Sequence, residues 1–168
     1  MFNKIFNFFN FKKGVPFDPK LIERFNNDHS KLVNIAVEIK HRAKDTKSPM
    51  LIKSLLKTLK NELFIHFIHE EKTLYKYLNA LYKNDKDNKE LVQEFNSSMH
   101  DIQKVVEEFM EEYTSDRAIY NEKFISRFDK IIDALLKRID TEENHLYSLY
   151  NKKIKVINVN EFDNIKEV

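Results

Sequence analysis

The sequence has no cysteine, no tryptophan, one glycine and three prolines in 168 residues. Without cysteine there is no disulfide framework, no thiolate nucleophile, no zinc ribbon and no cysteine-held iron–sulfur cluster. Any metal must rest on histidine, aspartate, glutamate or water. So little glycine and proline leaves scant material for tight β-hairpins. No apolar run approaches the roughly 20 residues that a membrane-spanning helix needs. Charge of one sign is lacking too, since 29 basic and 27 acidic residues are mixed along the chain for a net charge of +2. That balance offers no basic face for nucleic acid. The opening MFNKIFNFFNFKK has no small-residue cleavage site and makes a poor signal peptide, so the expected location is the cytoplasm.

What is present is helical. Glu, Lys, Leu and Asn abound, and apolar residues recur every three or four positions rather than alternating. The pattern predicts an all-α protein: an antiparallel up-down-up-down four-helix bundle with a short Phe-rich leader. Residues 1–17 read as a hydrophobic and basic leader, 18–151 as the bundle and 152–168 as a tail without clear period. Phe2, Ile5, Phe6, Phe8 and Phe9 would share one wide face of a helical leader. Such a face suits a membrane surface, a partner protein or a second subunit; the plainer reading lays it over a groove of its own bundle.

Asp18-Pro19 is a helix-start signal, with Pro at the first helical position, and predicts a first helix from Pro19 to Ala43. Ser48-Pro49 repeats it for a second helix reaching Tyr82. A polar turn at Asn84 to Asn88 precedes a third helix from Lys89 to Tyr113. Thr114-Ser115-Asp116 is expected to cap a fourth, from Arg117 to Asn151.

The second half of this bundle echoes the first. His29 lies inside the first helix and His100 inside the third, each with an apolar residue close behind. The stretch from His66 to Tyr75 then parallels the stretch from Arg138 to Tyr147, sharing Glu-Glu-x-x-Leu-Tyr. Residues four apart lie one turn apart on one helix face, so His66 aligns with Glu70, and Arg138 with Glu142. Two such hairpins packed antiparallel aim these side chains at one place in the core. Imidazoles and carboxylates on facing helices are how bundles build dinuclear iron or manganese sites.

On these residues the sequence resembles the bacterial haemerythrin-like family of HHE cation-binding domains, over roughly Asp18 to Tyr150. The resemblance implies metal ligands at His29, His66, Glu70, His100 and Glu142, and a cofactor of one or two non-haem iron ions. It also implies a small ligand such as dioxygen or nitric oxide. One departure matters: Arg138 stands where the family has the histidine of its second pair. A guanidinium has no lone pair to give a metal, but it can pair with Glu142 or Glu70 as an organic cation. His145, three residues beyond Glu142, is a candidate to supply the missing nitrogen; the alternative is a half-buried histidine with a backbone partner.

The other polar residues near the pairs receive plainer readings. His69 faces the helix flank, as surface or as support for a ligand, and His41 suits the helix end. Glu71 and Glu143 are read as solvated. Tyr75 and Tyr147 are read as packing at the end of the bundle, within reach of a group behind the ligands.

The leading functional expectation is a non-haem iron protein that binds or senses dioxygen or nitric oxide, or handles iron itself, rather than an enzyme. The alternative is a metal-free helical interaction module, in which Arg138 neutralises the core carboxylates. A ferritin-like oxidase fits less well, because it would want a second Glu-x-x-His on a partner helix.

Overall fold

The computed structural model describes residues 15–44 and 48–151. The expectations for residues 1–14 of the leader and for the tail fall outside this range. Among the described residues the main helical elements are α1 (Leu21–Lys44), α2 (Pro49–His69), α3 (Lys76–Leu81), α4 (Lys86–Tyr113) and α5 (Glu122–Thr141). A π-helical segment, Glu70–Tyr75, joins α2 to α3. A second, Glu142–Leu146, carries α5 into a last helical stretch over 147–151. The described chain therefore makes four rods: α1, α2 with α3, α4, and α5 with its extension. The first packs on the second and fourth, and the third packs on the same two, closing a bundle. No strand occurs among the described residues.

Local signals explain the helix starts. Asp18 Oδ1 accepts from the Lys20 amide at 2.9 Å, and Pro49 opens α2 after Ser48. Asp85 caps α4 through the Asn88 amide at 3.2 Å, so this helix begins a few residues before the expected Lys89. The fourth rod begins later than expected, at Glu122 rather than Arg117. Thr114 ends α4 instead of capping α5, its hydroxyl turning back to the Met110 carbonyl at 2.6 Å. Asn121 is the true cap, accepting from the Phe124 amide at 3.2 Å. Tyr120 donates to the Tyr113 carbonyl at 2.8 Å and pins the intervening loop to the bundle.

Each rod buries one stripe. On α1 it comprises Leu21, Phe25, His29, Leu32, Ala36, Ile39 and Ala43, spaced by threes and fours. One end of the core is aromatic, with Phe109, Tyr113, Phe124 and Phe128 in mutual contact. At the other end Phe17 stacks on Tyr150, whose hydroxyl accepts from the Asp18 amide at 2.8 Å. Each large apolar side chain removed from water contributes about 1.5–3 kcal/mol. Between these two ends the core is interrupted by five buried polar side chains: His29, His66, Glu70, Arg138 and Glu142.

Candidate metal centre

His29 comes from α1, His66 and Glu70 from the second rod, Glu142 and Arg138 from the fourth. Each sits where the helical repeat expects an apolar residue, so burial of the stripe carries the polar group inward with it. One potential ligand atom from each of His29, His66, Glu70 and Glu142 lies within 4.8 Å of the other three. His29 Nε2 is 3.2 Å from His66 Nε2 and 3.2 Å from Glu142 Oε2. Glu70 Oε2 is 3.8 Å from His66 Nε2.

The electrostatics of this group call for a cation. Glu70 is 0% exposed, and neither of its carboxylate oxygens has a hydrogen-bond partner. A buried carboxylate in that position costs several kcal/mol unless a positive charge or a proton joins it. Burial accordingly pushes the Glu70 carboxyl well above the ordinary glutamate range; the neighbouring Glu142 adds to the rise and Arg138 opposes it. For His29 burial disfavours the charged ring, but the hydrogen bonds it donates to Glu142 and Glu143 outweigh that, and the imidazole is pushed up. Metal ions satisfy such convergent lone pairs in the way that protons do.

The outer nitrogens of both imidazoles face carboxylates. His29 Nδ1 donates to Glu143 Oε1 at 2.8 Å, and His66 Nδ1 lies 3.8 Å from Asp28 Oδ2. A carboxylate behind a histidine fixes the ring and turns its other nitrogen toward a metal. Glu143 is thus not simply solvated, and Asp28 went unnoticed in the sequence because it merely precedes a histidine.

Both π-helical segments begin at the inner glutamate of their half. In an α-helix a residue five positions on is about 140° further round the axis. The wider π turn, with bonds from i to i+5, brings it back toward the same side. Tyr75 and Tyr147 are therefore buried beside the cluster rather than packed at the end of the bundle. Tyr75 accepts a hydrogen bond from Arg138 Nη2, and the Tyr147 hydroxyl lies 3.5 Å from His29 Nε2. Burial raises both phenols, which keeps them protonated.

Two predicted ligands are not brought in. His100 is exposed and its Nδ1 donates to the Asn96 carbonyl at 2.8 Å. The stripe of α4 runs through Val92, Phe95 and Met99, and His100 follows about 100° round the helix. His145 is exposed as well. The π turn advances more slowly than an α turn, so the third position past Glu142 never comes back to the inner face. His69 and His41 are also exposed.

The sequence model of the hemerythrin HHE cation binding domain matches residues 20–150. The chain belongs to this family. Comparison with curated proteins and with solved structures finds no match. In this hemerythrin-type chain, then, a His2Glu2 cluster able to coordinate a metal lies buried in the helical core. Beside it is an apolar cavity of about 80 Å³, lined by Leu32, Ala36, Leu63 and Leu135 and reaching His29, His66 and Glu142. No helix of the described residues is long and apolar enough to cross a membrane.

Proposed function

We propose that this chain is a non-haem iron-binding protein of the hemerythrin type that binds or senses dioxygen or nitric oxide. One observation carries the reading: the Glu70 carboxylate is wholly buried without a hydrogen bond, and His29, His66 and Glu142 surround it. Such a donor set, imidazole with carboxylate, suits iron. Held there, iron would supply an open coordination position and a change of oxidation state. The protein's own part is to orient the His29 imidazole through Glu143, to set the Asp28 carboxylate near His66, and to keep bulk water from the centre. The adjoining apolar cavity favours a small uncharged ligand over a polar one. Binding or sensing in the cytoplasm, rather than catalysis, completes the proposal.

The metal-free interaction module draws support from the hydrogen bond that Arg138 Nε donates to Glu142 Oε1. That pairing still leaves both Glu70 oxygens without a hydrogen bond. Metal analysis of the purified chain, after expression in iron-replete cells, decides between the two. Bound iron is the expected result, and a chain free of transition metal, even after reloading, would favour the module.

A further inference from the structure

We propose that this centre takes a single metal ion and that the Arg138 guanidinium is a built-in second cation, standing where a dinuclear centre would place its other ion. This rests on the metal-binding reading above and sets its stoichiometry.

Glu142 carries the inference. Its Oε1 accepts from Arg138 Nε, while its Oε2 lies 3.2 Å from His29 Nε2 among the ligand atoms. In dinuclear carboxylate centres on bundles, glutamates and histidines from facing helices hold the two ions, and a carboxylate has two oxygens to divide between neighbouring cations. Here the same division of oxygens spans one candidate ion and one guanidinium. Arg138 is also held in a fitted seat. Its Nη1 donates to the Phe95 carbonyl at 3.0 Å and to Ser98 Oγ at 2.9 Å, its Nη2 donates to the Tyr75 hydroxyl, and its Cζ lies 5.4 Å from the Phe95 ring centroid. These partners belong to α4 and to the first π-helical segment, so two other rods are shaped around the guanidinium.

The donors agree. Those that converge amount to His29, His66, Glu70 and Glu142, enough for one ion, and His100 is turned to the surface of α4. The charges agree as well. Two buried carboxylates facing one guanidinium leave one negative charge over, which a single divalent ion more than neutralises. A second divalent ion would have to share that pocket with the guanidinium, and like charges at such range disfavour one another.

The test uses the full chain, stripped with a chelator and reloaded with ferrous ion under anaerobic conditions. Iron per chain is counted after removal of excess, and the oxidised sample is studied by EPR. One iron per chain, with a signal integrating to one isolated spin centre, is expected. Two irons per chain in a magnetically coupled pair would overturn the single-ion inference and leave metal binding standing. No retained iron would overturn the metal-binding reading itself. Arg138→His, which exchanges the guanidinium for an imidazole, should raise uptake above one ion per chain; uptake fixed at one in a folded variant would show that Arg138 does not set the limit. Arg138→Lys preserves a cation and should keep uptake at one, so a rise to two in that variant would also overturn the assignment. It serves as the test if the histidine variant fails to fold.

Discussion

The two halves of the bundle share a plan and divide the chemistry unequally. The first contributes His29, His66 and Glu70 to the buried cluster; the second contributes Glu142 and, in place of another imidazole, the guanidinium of Arg138. The backbone feature is common to both, since each has a π-helical segment starting at its inner glutamate and ending next to or at a buried tyrosine. What differs is the side chain at the positions before it. Even the tyrosines are exchanged across the bundle, with Tyr75 of the first half serving Arg138 of the second and Tyr147 of the second facing His29 of the first. A repeat can thus keep its framework while one half holds three of the four donors and the other holds the fourth together with the balancing charge.

The largest effect should come from removing that balance. Arg138→Met leaves the two buried carboxylates without their guanidinium and the acceptors on Phe95, Ser98 and Tyr75 without its N–H groups. Loss of one partner from a buried ionic network costs about 3–5 kcal/mol, and chemical denaturation of the metal-free protein should report that loss. An unchanged midpoint would mean that the second half does not need its cation. Glu70→Leu attacks the first half, with the opposite sign. It removes a wholly buried carboxylate that has no hydrogen bond and leaves Arg138 and Glu142 paired, so the metal-free variant should be more stable by about 1–4 kcal/mol. The same variant should lose its metal. A gain in stability with a loss of binding is the signature of a residue retained for a ligand rather than for the fold.

The fold was the more legible part of this chain, because the apolar stripes of α1 and α4 and the Asp18-Pro19 and Ser48-Pro49 starts are local signals. Within the site, His29, His66, Glu70 and Glu142 were legible because spacing by fours holds on an α-helix up to the inner glutamates. Beyond those glutamates the rule fails. A π turn has no mark in the residues, and counting in α-helical steps misplaces whatever follows, which is why His145 looked inward and Tyr75 and Tyr147 looked remote. His100 was misread for a different reason. Met99, one position earlier, continues the buried stripe of α4, and His100 follows it onto the exposed flank. The seat of Arg138 was out of reach altogether, since Ser98 and the Phe95 carbonyl meet it only through the packing of α4 on α5.

A finer contrast lies behind the ligands. Glu143 belongs to the second half but braces the histidine of the first, at 2.8 Å from His29 Nδ1. Glu143→Gln keeps the shape and a hydrogen-bonding group while removing the negative charge that makes the ring a better donor. Loss of such a supporting carboxylate weakens metal binding by roughly 10–100-fold, measured here by competition with a chelator of known affinity. An affinity equal to wild type would make the contact incidental.

The smallest effect should come from the histidines of the second half that face away from the cluster. His100→Ala and His145→Ala remove imidazoles that are exposed, and His100 already spends its Nδ1 on the Asn96 carbonyl of its own helix. Surface changes of this kind usually alter stability by less than about 0.5 kcal/mol. Metal content and metal affinity should stay at the wild-type level in both. The pair gives the comparison its sharpest edge, because in a centre symmetric between the halves His100 would match His29, and His29→Ala should strip the metal. If His100→Ala or His145→Ala strips it too, α4 or the π turn must rotate on metal binding, and the unequal division of labour between the halves disappears with that rotation.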